Sequence, residues 1–291
     1  MNLESPHKLR LSVTLIFLLF LTIGSPAEPP GKVLLVVAHP DDEYYFAATV
    51  YRLAVQLGGI VDELIITDGE GGFRYSTLAE PYYKKTLTIE RIGRRELPRI
   101  RKREAINAGR VLGIHKHFFL NQEDEYFTDD VETSIAHWDS ERVVATIAAK
   151  LKKEHYTYVF SILPRATMHG GHQAATILTT EAIDRLPGNN RPVLLGFDTD
   201  DAAFEASPRI QETQRWPATF TYAFDRTVKF GFHDALSYQI VVDWMIAEHK
   251  SQGLLQTMCS HDPREYIWVN QDGSREAQSR AGLLFRTLAV H

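Results

Sequence analysis

The segment Lys32 to Ala38, KVLLVVA, runs from a single charge into six apolar residues. An unbroken aliphatic run of that length predicts a strand buried on both faces of a parallel sheet. From Glu43 to Leu57 the apolar positions recur at helical spacing. Val61 to Thr67, VDELIIT, predicts a second strand, closed by Asp68-Gly69-Glu70-Gly71-Gly72. Glycines at a strand end mark a tight turn or a close approach to a ligand. The stretch Phe73 to Pro98 has no clear period and is rich in Tyr, Arg and Lys, so it reads as a long functional loop. Arg99 to Leu112 predicts a helix stopped by Gly113. A third strand follows at Lys116 to Leu120, a helix at Ser140 to Lys153, and a fourth strand at Tyr156 to Leu163, broken by Pro164. Gln173 to Arg185 predicts a helix and Pro192 to Phe197 a fifth strand. Beyond Asp198 the alternation weakens, with a strand at Ala218 to Phe224 and a long helix at Leu236 to Thr257.

This alternation predicts a doubly wound, Rossmann-like α/β sheet, mostly parallel, with right-handed crossovers. A single domain over residues 32–291 accommodates it, since one α/β domain of roughly 250 residues is ordinary. Ligands of such sheets bind beyond the carboxyl ends of the strands. Three polar clusters fall there: His39 to Glu43, Asp68 to Gly72, and His169 to His172.

Composition narrows the function classes. The hydrophobic share of 44% and charged share of 24% are those of a globular chain. A net charge of -5 argues against nucleic acid as the partner. The basic run Arg94 to Arg103 then reads as the solvated face of a helix. Cys259 is the single cysteine, so an intrachain disulfide and a Cys-based zinc finger are both excluded. Any metal must be held by His, Asp or Glu. At the N-terminus, Lys8 and Arg10 precede an apolar run from Leu11 to Ile23 and then Gly24-Ser25-Pro26-Ala27. That order predicts a signal peptide over residues 1–27, with the mature chain starting near Glu28, or else an uncleaved N-terminal anchor. Either exports the domain, to the periplasm or beyond. Membrane contact is expected only if the segment is retained.

The candidate chemistry lies in two of the polar clusters. His39 and Asp42 are three apart, as on one helical turn, and can face one ion. Asp41 would point elsewhere, free to act as a base, although an Asp here can also simply cap the following helix. His169-Gly170-Gly171-His172 lies beyond the fourth strand. Two imidazoles and one carboxylate leave a coordination position open for water, the pattern of catalytic zinc. Asp68, Glu70 and Arg74 follow the second strand and are expected to face the same crevice, with Arg74 contacting sugar hydroxyls or an anionic group. His115 and His117, at the start of the third strand, sit at the opposite edge of the sheet and carry no such expectation.

These residues resemble a known family. AHPDDE after a Val-rich first strand, TDGEGG after the second, and an HxxH before a helix are similar to the PIG-L/LmbE family of zinc-dependent N-acetylglucosamine deacetylases. Arg101 with Glu104, Ala108 and Leu112-Gly113 resembles its Arg-x-x-Glu helix, and His249-Lys250-Ser251-Gln252 its His-x-Ser-Gln motif. The resemblance runs from Lys32 to Gln256. It implies a Zn2+ cofactor, an N-acetylated amino-sugar substrate, and His39, Asp42 and His172 as metal ligands. It further implies Asp41 as general base and His169 as the residue that steadies the tetrahedral intermediate. One departure stands out: the family often carries Pro-Asp between the two histidines, where this chain has Gly170-Gly171. The missing Asp would orient an imidazole. The departure motivates an alternative, an exported carbohydrate-binding protein with lost or weak catalysis, against which retention of Asp41 counts. An exported zinc amidase or peptidase fits the same metal chemistry but lacks the His-Glu-x-x-His helix.

Overall fold

The computed structural model describes residues 30–125, 127–200, 209–211, 214–215, 221–253, 262–270 and 275–289. The segment 1–27, Cys259, and the start of the strand expected at Ala218 lie outside the described residues. Seven strands form the main sheet: β1 (Val33–Val37), β2 (Val61–Thr67), β3 (Lys116–Gln122), β4 (Tyr158–Ile162), β5 (Val193–Asp198), β6 (Thr221–Asp225) and β7 (Arg264–Val269). Their order is β3-β2-β1-β4-β5-β7-β6. The first five are parallel, and β7 runs antiparallel to both β5 and β6.

The aliphatic run explains the layering. Val33, Leu35 and Val37 pack into one core, and Leu34, Val36 and Ala38 into the other, as the two-residue period of a strand requires. The helices are α1 (Ala47–Tyr51), α2 (Ala79–Tyr83), α3 (Glu90–Leu112), α4 (Val131–Ala136), α5 (Ser140–Glu154), α6 (Gly170–Asp184), α7 (Tyr238–Glu248) and α8 (Arg275–Leu288). Residues of α1, α3, α7 and α8 fill the first core. Residues of α5 and α6 fill the second. Among the described residues no helix is long and apolar enough to cross a membrane.

Three elements differ from the sequence pattern. The segment Phe73 to Pro98 is largely helical: it holds the end of a 3-10 turn (Glu70–Tyr75), α2, and the first turns of α3. Pro98 sits inside α3, where it removes one backbone bond and costs about 3 kcal/mol. Burial of Gly93, Leu97, Ile100, Ala105, Ala108 and Leu112 along one face offsets that cost. Arg101 shares this face, 2% exposed, so the basic run is only in part a solvated one. The helix expected over Glu43 to Leu57 is split into a 3-10 turn (Asp42–Phe46), α1 and a π turn (Arg52–Gln56). The helix expected to reach Thr257 ends at Glu248, because His249 turns inward to meet Glu43 at 2.6 Å.

The stretch after β1 is also tied to the far end of the chain. Glu265, fully buried on β7, accepts the Ala48 and Thr49 amides at the start of α1, at 2.7 and 2.9 Å. Arg226 bonds the same carboxylate at 3.0 Å and donates to the Tyr44 carbonyl at 2.6 Å. The carboxylate thus satisfies helix amides that have no partner within the helix.

Candidate active site

Strands β1 and β4 are neighbours from which the sheet is built in opposite directions. A crevice opens at such a switch point, beyond the carboxyl ends of the strands. His39 leaves the end of β1, and Asp42 opens the 3-10 turn that follows. His169 is the N-cap of α6 and His172 lies in its first turn. The three imidazoles meet there: ring centroids are 4.8 Å apart for His39 and His169, 5.1 Å for His39 and His172, and 5.3 Å for His169 and His172.

Asp42 is the hub. Its Oδ1 lies 3.0 Å from His172 Nε2, and its Oδ2 lies 3.5 Å from His39 Nδ1. Oδ2 also accepts the Ala38 and His39 amides at 3.0 and 2.8 Å, which fixes the carboxylate against the strand end. One ligand atom each from His39, Asp42 and His172 lie within 4.8 Å of one another. Two imidazoles and a carboxylate are a donor set that suits zinc, and among the described residues Asp42 forms ion pairs with His39 and His172 rather than with a Lys or Arg.

The charges follow from this packing. Burial alone would lower the His39 pKa, but the Asp42 and Asp124 carboxylates outweigh it and raise it to about 10. Burial would raise Asp42, yet His172 and His39 hold it well below the usual carboxylate range. Burial, helped by the neighbouring His39 and His172, pushes His169 down to about 3. His169 is therefore a neutral ring. Its Nδ1 accepts the Gly171 amide at 2.9 Å, so its proton sits on Nε2.

Asp41 stands apart from the Asp42 hub. Its Oδ2 pairs with Arg101 Nη2 at 2.7 Å, and the carboxyl lines a cleft of about 330 Å³. Burial raises its pKa, against the pull of Arg101. His39, Asp42, His169 and His172 line the same cleft, whose walls are aromatic: Tyr44, Tyr45, Tyr75 and Phe127. Phe127 is 63% exposed and meets the His169 ring edge-on at 5.0 Å.

A model of the family described as "PIG-L: GlcNAc-PI de-N-acetylase" matches residues 34–183. The chain belongs to the PIG-L family. A curated relative, the probable N-acetyl-alpha-D-glucosaminyl L-malate deacetylase 2 of Bacillus cereus, is 25% identical over 162 residues, 56% of this chain and 65% of the relative. The chain thus spans just under two thirds of that relative's length. Among solved structures, a deacetylase of the teicoplanin biosynthesis pathway shares the fold with a TM-score of 0.58, at 14% identity over 84% of this chain and all of that one. The 4-carboxy-2-hydroxymuconate hydratase of Pseudomonas putida KT2440 shares it with a TM-score of 0.50, at 14% identity over 84% of this chain and 98% of that one. The PIG-L match contains both polar loops of the cleft, from His39 to His172.

The remaining motifs support these loops. Glu104 accepts the Ser251 amide and hydroxyl at 2.9 and 2.5 Å. Gln252 reaches the Gly72 carbonyl at 3.4 Å. Of the residues expected to bind substrate after β2, none lines the cleft. Asp68 pairs with Lys102 at 2.7 Å. Glu70 is buried and accepts the Asp124 amide at 3.0 Å, and burial raises its pKa to about 7. Arg74 is exposed, with its guanidinium 5.5 Å from the Phe73 ring centroid. Gly71, Gly72 and Tyr75 from this segment do line the cleft. His115 and His117 pair with Asp62 and Glu63 at 3.0 and 3.3 Å, within the β2–β3 layer.

Asp124 was not singled out by the sequence pattern. It follows the end of β3 and lines the cleft, with Oδ1 3.4 Å from His39 Nε2. Its position beyond a strand end was the available signal.

Proposed function

We propose that this chain is a zinc-dependent N-deacetylase that hydrolyses the N-acetyl group of an N-acetylglucosamine-type sugar or glycoconjugate. The observation that carries this is the placement of Asp41: a carboxylate in the cleft beside the His39, Asp42 and His172 cluster, steadied by Arg101 rather than used within the cluster. His39, Asp42 and His172 would hold the ion. A bound zinc ion supplies a Lewis acid and a water that ionises near neutral pH.

The chain's own groups supply the rest. Asp41 takes the proton of the attacking water and returns it to the departing amine, so acetate and a free amino sugar leave. His169 offers its Nε2–H as a hydrogen bond to the carbonyl oxygen as that oxygen gains charge, keeping its own proton, a role that suits a ring held neutral. The aromatic walls suit the apolar faces of a sugar ring. The fold alone does not separate deacetylation from other hydrolytic or hydration chemistry. The Asp41 placement and the PIG-L family membership favour the former. We also propose that residues 1–27 export the domain, which favours a glycan or lipid-linked substrate.

The test is acetate release by the purified, zinc-loaded chain across N-acetylated sugars and glycoconjugates, beside the metal-stripped chain. Zinc-dependent release supports the proposal. A chain that demonstrably holds zinc yet frees no acetate from any of them defeats it. Export is tested by N-terminal sequencing from the native host, where an intact Met1 in the cytosol would refute it.

A further inference from the structure

The glycine pair between the two histidines leaves a specific gap. A Cβ placed on Gly171 would stand 3.2 Å from His39 Nε2 and 3.1 Å from His169 Nδ1. A carboxylate carried at this position would lie against both rings. The His169 ring instead takes its orienting bond from the backbone, through the Gly171 amide at 2.9 Å. For His39, the matching group arrives from elsewhere. Asp124 Oδ1 lies 3.4 Å from His39 Nε2, and both residues line a small cavity of about 10 Å³ together with His169 and Gly171.

Asp124 is held firmly in this position. Its other oxygen accepts the Gly71 amide at 3.1 Å, and its own amide donates to Glu70 at 3.0 Å. The opposite nitrogen of the ring, His39 Nδ1, faces Asp42 Oδ2 and the metal-competent cluster at 3.5 Å. The imidazole is thus a bridge, with one nitrogen toward the cluster and one toward Asp124. A histidine that binds metal almost always gives its second N–H to a carboxylate, carbonyl or water, which sets the tautomer and strengthens the ligand.

We propose that Asp124, brought in from the end of β3, is the positioning carboxylate of His39, and that it performs from a different strand the task that Gly171 on α6 leaves undone. This rests on the metal site proposed above. Asp124→Asn is the informative variant. Its amide oxygen still accepts the Gly71 N–H, while its NH2 is turned against the His39 Nε2 proton.

Zinc affinity, measured by competition with a chromophoric chelator, should fall about 10–100-fold in Asp124→Asn. Adding Gly171→Asp should restore most of it, with the rings giving by a few tenths of an ångström. Adding Gly171→Asn should not. A parent chain that takes up no zinc would defeat the metal site itself. A parent that holds zinc while Asp124→Asn binds it equally tightly would overturn this inference alone. Equal recovery by Asp and Asn at position 171, or recovery by neither in folded protein, would overturn it too. Should Asp124→Asn not fold, nitrogen-15 spectra of the zinc-loaded parent decide. Coordination of His39 through Nδ1 with a proton on Nε2 is expected, and coordination through Nε2 overturns the proposal.

Discussion

Arg101 Nη2 stands 2.7 Å from Asp41 Oδ2, and the same guanidinium donates to the Gly69 carbonyl at 2.5 Å and the Pro40 carbonyl at 3.1 Å. One side chain of α3 therefore joins the loop after β1 to the loop after β2 and sets the Asp41 carboxylate on the cleft wall. A lysine cannot span these acceptors, because its single ammonium lacks the planar fork. Arg101→Met should destabilise the fold by about 3–5 kcal/mol, the usual cost of removing one partner of a buried pair. Arg101→Lys should fold better than Arg101→Met yet turn over more slowly than the parent. Urea denaturation and acetate-release rates check both, and unchanged turnover in Arg101→Lys would remove the fork from the account of Asp41.

Asp41→Asn keeps the shape of the side chain but cannot accept a proton. It should retain zinc and lose about 10²–10⁴ in kcat, the usual worth of general-base help. His172→Ala should lose the zinc itself, since it removes one of the three ligands a catalytic site needs. Metal content and kcat measured on the same preparations separate the two effects. Near-normal turnover in Asp41→Asn would take Asp41 out of the mechanism.

Phe127 presents an open aromatic face at the mouth of the cleft. Its contribution should appear in binding rather than chemistry. Phe127→Ala should raise KM by roughly 2–10-fold, in line with about 0.5–1.5 kcal/mol for an aromatic contact, and leave kcat near the parent value. A kcat loss with unchanged KM would instead point to its edge contact with His169 as the thing that matters.

Glu70 gives the fold a pH dependence. Burial raises its carboxyl to about 7 in the folded chain, above the value near 4.3 expected when unfolded. Below the unfolded value the group is protonated in both states and contributes nothing. As pH rises from the unfolded value toward about 7, the unfolded chain gives up the proton while the folded chain keeps it, so stability falls across this interval and levels off above about 7. The loss is about 2 kcal/mol once discounted for partial exposure. Glu70→Gln should therefore gain stability relative to the parent at pH 8 and not at pH 4. Denaturant titrations at the two pH values check this, and an equal effect at both would refute it.

Most of the parallel half was legible because β1, β2, β4 and β5 are buried along their whole length and are dominated by apolar residues. The cleft was legible through His39, Asp42, His169 and His172, which sit in short motifs beside those strands. What escaped detection depends on distance in the chain. Asp124 follows a strand with mixed burial and has no motif around it. The amino end of α3 was hidden by Pro98, a helix breaker that tertiary burial overrides. The last strand, Arg264–Val269, pairs antiparallel with β5 and β6, a choice that local pattern does not encode. Arg74 shows the converse: its residue type suggested a cleft contact, and Tyr75 beside it lines the wall instead.

The Glu265 carboxylate caps amides of Ala48 and Thr49 that lie 217 and 216 residues earlier in the chain. During synthesis, the loop that carries Asp41 and Asp42 thus waits for nearly the whole polypeptide before its following helix is secured. Such long-range closure makes folding slow, since the entropy of a large loop is lost before its contacts form. A nascent chain ending at α6 would display His39, His169 and His172 without the carboxylate that caps α1. A fragment covering only residues 34–183 would lack Glu265 and with it both bonds to the start of α1.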